Sequence, residues 1–264
     1  MNELEVVNSV YALGKMGATL CVDSQPNPVL DPLFAAVERV APSMGPVGLA
    51  NCVWGFGKLN MRWREMPRSA QAALAAQFQA VGPRLGPQAV SSVLAGFAAM
   101  DTTWMLLQRS IRYSIETSII KARVAEMNEQ TVSMTLWGLA ALKADRAVLQ
   151  PQVFRPLFDG FVGTGAALKS QGLCSALYGL SVLGWEWGDL PQEVRVTFES
   201  YCANSRRWGN THVFISTPCF DPRPLSSLHC IVASVNQTLF VTVTVTVTVT
   251  IIILIVIVIV YVHT

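Results

Sequence analysis

Five segments of the chain align without gaps: VNSVYALGKMG (7–17), ANCVWGFGKLN (50–60), SSVLAGFAAMD (91–101), SMTLWGLAALK (133–143) and CSALYGLSVLG (174–184). A small residue stands at the centre of each, Ala12, Gly55, Gly96, Gly138 and Gly179, at intervals of 43, 41, 42 and 41 residues. This recurrence constrains the fold more than any other feature, because one such unit cannot bury its apolar face alone and must stack on copies of itself. In the fourth block Leu136, Leu139, Ala140 and Leu142 keep the i, i+3, i+4 spacing of a helix with one apolar stripe. Small residues beside the stripe, such as Gly138 and Ala141, let a neighbouring helix approach closely. An aromatic precedes the small residue in four blocks (Tyr11, Trp54, Trp137, Tyr178), and Ala95 takes that place in the third. A ring that fills the gap between units is the preferred expectation, ahead of a base-stacking platform.

Between the blocks lies room for one more helix. PVLDPLFAAVERVAP (28–42), MPRSAQAALAAQFQAVGP (66–83) and LQPQVFRPLFDGFVG (149–163) occupy equivalent places, with Pro32 tolerated in a first turn and Pro42 ending its segment. The stretch 101–127 reads as a longer version, a helix over 103–126. Each unit is therefore helix, turn, helix. The predicted fold is all-α: an α-solenoid with a period of about 42 residues, in the range of HEAT and armadillo units. Residues 1–203 form the array, four complete pairs with partial repeats at both ends: a second helix within 1–17 and the start of a first helix at 190–204. Residues 204–238 read as an irregular linker.

Charge separates two compositions. The chain of 264 residues is 52% apolar and 14% charged, with a formal net charge of +2. Residues 1–203 hold 16 basic and 16 acidic side chains, whereas 204–264 hold Arg206, Arg207, Arg223 and Asp221 alone. The six cysteines form no C-x-x-C pair and read as reduced thiols. The three histidines fit no zinc spacing, and GFVGTGAALKS lacks the lysine that a phosphate loop needs directly after its last glycine. No catalytic triad or paired carboxylates are visible, so the expectation is a protein without catalytic, metal or cofactor chemistry. MNELEVVNSV has neither a signal peptide's basic and apolar regions nor a transit peptide's arginines.

The block resembles the repeats of octotricopeptide-repeat proteins and the leucine-rich region of the FAST kinase domain-containing family, whose hallmark reads A-N-x-L-W-A-L-A-K-L-G. Ala50-Asn51-Cys52-Val53-Trp54-Gly55-Phe56-Gly57-Lys58-Leu59 is close to it, as is Leu136-Trp137-Gly138-Leu139-Ala140, and Gly86-Pro87-Gln88 precedes the third block in the manner of the pattern. The resemblance covers residues 7–203. It implies binding of single-stranded organellar RNA in processing, stability or translation, alongside other proteins of an RNA-processing complex, in the mitochondrial matrix or plastid stroma. Nothing matches the RAP domain that often ends such proteins.

Two local concentrations of charge suit RNA: Lys58, Arg62, Arg64 and Arg68 after the second block, opposed by Glu65, and Arg109, Arg112 and Arg123 near one face of the expected long helix. Polar residues at the block's second position (Asn8, Asn51, Ser92, Ser175), a series that Met134 breaks, present one amide or hydroxyl per unit to successive bases. Helix caps are the competing and preferred explanation of that series. The rival function is a protein-binding solenoid, which a neutral charge balance suits better.

Leu239 to Val262 is uncharged: LFVTVTVTVTVTIIILIVIVIVYV. Its length fits a transmembrane helix, a tail anchor with the repeats on the cytoplasmic or matrix side. Val-Thr alternation is instead a strand pattern prone to aggregate. Simple repetition starting where the array breaks off also fits translated non-coding or microsatellite sequence, and that reading is preferred to the anchor.

Overall fold

The structure, a computed structural model, describes residues 2–16, 29–167, 169–205, 212–214, 227–233, 240–246 and 255–259. The chain divides into two compact units, Met1–Val194 and Arg195–Thr264. The first is an all-α repeat array. Its helices are α1 (Glu3–Lys15), α2 (Leu30–Val40), α3 (Pro46–Lys58), α4 (Arg68–Val81), α5 (Pro87–Ala99), α6 (Arg109–Lys121), α7 (Glu129–Ala141), α8 (Phe154–Gly163) and α9 (Ser170–Val182), while α10 (Gln192–Ser205) contains the division. Proline opens α3 and α5, where its missing N–H costs nothing. The odd-numbered helices α1 to α9 pack side by side in one layer, and α2, α4, α6 and α8 form a second.

Small residues set the spacing of the odd layer. A Cβ on Gly55, Gly96, Gly138 or Gly179 would stand 2.7–2.8 Å from atoms of Val10, Val53, Leu94 and Leu136 respectively. Each glycine therefore sits on the residue two places before the central small residue of the previous block, which is why the block needs a small centre. Between the layers the buried rings Phe56, Phe78, Phe97 and Trp104 fill the core.

The turns repeat as faithfully as the helices. After α3, α5, α7 and α9 the chain passes through positive φ at Asn60 (54°), Asp101 (49°), Lys143 (54°) and Gly184 (85°). These are the last residues of their blocks; Gly17, at the same place in the first block, lies outside the described residues. Left-handed backbone lets Met61 N–H donate to Phe56 O (3.3 Å), Ala144 N–H to Leu139 O (3.0 Å) and Trp185 N–H to Leu180 O (3.0 Å), satisfying carbonyls at the helix ends. Three residues on, the backbone ties each unit to the next: Trp63 N–H donates to Met100 O (2.9 Å), Trp104 N–H to Leu142 O (2.7 Å) and Arg146 N–H to Leu183 O (3.0 Å).

That ladder overturns the long helix expected over 103–126. Trp104–Leu106 and Val124–Glu126 are separate 3-10 turns, and α6 spans Arg109–Lys121 between them. The Trp104 N–H is drawn to the neighbouring unit, and Gln108 is extended (ψ 144°), so the helix starts after it. Pro67 and Pro191 mark the same break in other units; Gln108 replaces proline here and conceals it.

The described parts of the second unit beyond α10 are four strands, β1 (His212–Phe214), β2 (Ser227–Ala233), β3 (Phe240–Thr246) and β4 (Ile255–Ile259), paired antiparallel in sequence order. Ser227 pairs with Thr246 across β2 and β3, and Phe240 with Ile259 across β3 and β4. Two strands therefore lie within 204–238, expected to be an irregular linker. In the stretch read as a candidate transmembrane helix, the described residues are strands, as the β-branched Val, Thr and Ile favour. Among the described residues no helix is long and apolar enough to cross a membrane. Arg206, Arg207 and Arg223 lie outside the described residues.

Candidate nucleic-acid interface

Residues spaced i, i+4, i+7, i+11 share one face of a helix. On the odd helices, the face turned away from the core carries four such rows, each running from unit to unit. The first is Leu4, Val47, Gln88, Gln130 and Gln171, all exposed. Next come Asn8, Asn51, Ser92, Met134 and Ser175, of which Asn8 is exposed and the rest half-buried. The third is Tyr11, Trp54, Ala95, Trp137 and Tyr178, and the fourth Lys15, Lys58, Ala99, Ala141 and Val182. None of these twenty residues is buried.

Two expectations change here. Asn8, Asn51, Ser92 and Ser175 are not helix caps: each is the sixth residue of its helix, and Met134 is the sixth of α7. Capping falls to Asn2 and Asn128, whose side chains accept from the Glu5 and Thr131 N–H groups at 3.0 and 2.9 Å. The recurring rings lie outside the closed core, and Tyr11 and Trp54 alone among them fill the gap between successive units with a ring contact. Tyr11, Trp54 and Trp137 are half-buried and Tyr178 is 43% exposed. Ring pairs inside the core come from other positions, such as Trp63 edge-on to Phe97 at 5.2 Å.

At one end of the rows Asn8 and Asn51 line a groove of about 390 Å3 between α1 and α3, with Leu4, Val7 and Val47 as apolar walls. Glu3 closes one side, where its Oε1 accepts from the Gly45 N–H at 3.2 Å. Beyond the groove, Tyr11 and Trp54 meet with ring centroids 4.9 Å apart and planes tilted by 32°. The Lys58 ammonium lies 5.5 Å from the centroid of Trp54, a cation–π contact.

The basic residues singled out from the sequence are dispersed. Lys58 joins the odd-helix face. Arg62 and Arg64 lie at the turn after α3, and Arg62 is paired with Glu65 (3.6 Å) and with Asp101 of the next unit (3.7 Å), an acid that the sequence spacing did not bring to it. Arg68 starts α4 in the even layer. Arg109 and Arg112 belong to α6, where the Arg112 guanidinium Nη1 lies 3.3 Å from Met105 Sδ. Arg123 lies beyond the end of α6 and pairs with Glu126. The second concentration is thus split between a helix and a turn. Sequence reasoning missed the glutamine row: Gln88, Gln130 and Gln171 recur at intervals of 42 and 41 residues, a signal outside the aligned blocks.

No protein-family model matches the chain, and no curated protein matches it.

Proposed function

We propose that the array binds single-stranded RNA along the exposed face of its odd-numbered helices. The observation that carries this reading is the position of the polar series. Asn8, Asn51, Ser92 and Ser175 occupy one mid-helix position on neighbouring helices and serve no capping role, and Gln88, Gln130 and Gln171 stand four residues before it. One or two amide or hydroxyl groups per helical unit is the arrangement by which modular readers address one base per repeat. Neighbouring helices packed ~8–10 Å apart bring these groups within reach of successive splayed bases. In line with the resemblance, the RNA is an organellar transcript, and the protein holds it for processing, stability or translation in the mitochondrial matrix or plastid stroma. It contributes no catalytic step and no cofactor.

One observation favours a second reading, a protein-binding solenoid: Lys15 and Lys58 are the sole charges in the four rows. Salt separates the two. With two to four phosphates neutralised, log affinity for RNA falls with log salt at a slope of roughly −1.5 to −3. Fluorescence anisotropy of a labelled, unstructured RNA with the full chain at several salt concentrations measures it. Absence of binding at low salt, with circular dichroism showing the chain helical, refutes the RNA reading.

A further inference from the structure

We propose that Tyr11, Trp54, Trp137 and Tyr178 are a nucleobase-stacking row, one ring per repeat, and that Ala95 is its vacant rung. This rests on the RNA reading above and adds how the bases are held. The amide and hydroxyl rows discriminate between bases, and the rings supply affinity that is indifferent to base identity.

Three observations carry it. First, these rings lie outside the closed core: Phe56, Phe78, Phe97 and Trp104 are fully buried, whereas Tyr11, Trp54 and Trp137 are half-buried and Tyr178 is exposed. Leaving a large aromatic partly in water forgoes burial that would stabilise the fold, so its recurrence at one register position in four of five units calls for another use. Second, at one end of the row rings on adjacent helices reach each other, Tyr11 and Trp54 at 4.9 Å, whereas Trp137 and Tyr178 stand as separate rings. The row is therefore a continuous apolar strip at that end and is interrupted at Ala95. Third, the row is flanked by polar groups suited to a nucleotide: the Asn and Ser row on one side, and the Lys58 ammonium 5.5 Å from the Trp54 ring on the other. A base laid on a ring there places its edge toward an amide and its phosphate toward a cation. Every base has a π-face, which makes such a row tolerant of sequence.

The vacant rung makes the proposal testable by gain of function. Ala95 is half-buried on α5 between Trp54 and Trp137 of the same row, at the register position the rings occupy on the other helices. Ala95→Trp in the full chain raises affinity for an unstructured RNA 12-mer by about fivefold or more, and leaves affinity for a 12-mer of abasic riboses unchanged. Trp137→Ala lowers affinity for the base-containing 12-mer by a similar factor, and Trp137→Phe, which keeps a ring, restores it. Circular dichroism confirms that each variant is helical. If Ala95→Trp and Trp137→Ala leave the affinity for base-containing RNA unaltered, or shift both oligomers equally, the stacking row is wrong while the RNA reading stands. If the wild-type chain binds neither oligomer at low salt, or binds a mixed-sequence peptide in their place, the RNA reading falls and the row falls with it.

Discussion

The two helix layers face the same structural demands and meet them differently. Both bury an apolar stripe against the other layer, and both expose the opposite side to solvent. On the even helices the outward positions at one-repeat intervals are Asp31, Ala72, Tyr113 and Arg155; then Ala35, Ala76 and the half-buried Thr117 and Asp159; then Arg39, Ala80, Lys121 and Gly163. Along these rows a residue class recurs at most twice, as alanine does at 35 and 76 and a basic side chain at Arg39 and Lys121. On the odd helices glutamine recurs three times in one row, small amides and hydroxyls four times in the next, and rings four times in the third. The odd-layer series are longer, and only the glutamine row is exposed throughout, so packing bears least on that row and more on the half-buried amides, hydroxyls and rings. What a solenoid requires is repeated inside it; the glutamine row, exposed on every odd helix that carries it, is the repeat that packing explains least.

The layers also differ in how closely their helices approach, and this gives the largest expected effect. Gly96→Leu forces a side chain onto the Val53 carbonyl, 2.7 Å from where its Cβ would stand, and destabilises the chain by ~3 kcal/mol. Ala76→Leu on the exposed face of α4 changes stability by under ~0.5 kcal/mol. Urea unfolding followed by circular dichroism compares them; similar losses from both would remove the close-packed seam as the feature that sets the repeat.

Binding should divide along the same line. Asn51→Ala and Ser92→Ala each weaken RNA affinity by about fivefold, the worth of ~1 kcal/mol for one hydrogen bond. Arg109→Ala and Arg155→Ala, on exposed even-layer positions, change it less than twofold. Anisotropy at one salt concentration reads all four, and larger effects from the arginines would move the interface to the even layer.

Inside the even layer, Glu116 is 6% exposed, and burial pushes its carboxyl above the usual range even though Gln150 and Arg112 pull it back. A raised acid holds its proton more tightly in the fold than in the unfolded chain. Its stabilising contribution is therefore present below the ordinary carboxylate value and is lost as pH rises through the raised one. Glu116→Gln removes that loss, so its gain in stability over the native chain is larger at pH 7.5 than at pH 4. Thermal unfolding at the two pH values checks the sign. The smallest effect belongs to the turns of the odd layer: Lys143 holds a φ of 54° where the matching residue of the next unit is Gly184. Lys143→Gly raises stability by ~0.5–1 kcal/mol through relief of that strain.

The repeat, its period, the helix pairs and the role of the central glycines were all legible in the sequence, because packing demands a small residue at each seam. The break between Trp104 and Arg109 was not. It is imposed by the Trp104–Leu142 backbone bond between units, and Gln108 stands where Pro67 and Pro191 would have announced it. The polar series was legible as a series but not as a surface: Asn and Ser near a helix start look like caps until the start is placed, five residues earlier, by Pro46 and Pro87. For Tyr11, Trp54, Trp137 and Tyr178 hydrophobicity suggested the core, whereas register places them outside it. Dispersal of the arginines depended on turn geometry, and Arg62 meets Asp101 only because stacking brings adjacent units together.

The most direct test of the binding face sets a charge on one layer against a charge on the other. The full chain carrying Asn51→Glu on α3 is compared with Ala76→Glu on α4 in anisotropy titrations with unstructured single-stranded RNA at low salt. A carboxylate among the odd-helix rows repels phosphate and fills the place of a reading amide, so Asn51→Glu is expected to weaken binding at least tenfold while Ala76→Glu leaves it within twofold. Equal loss from both, or loss from Ala76→Glu alone, would contradict the assignment of RNA to the odd-helix face.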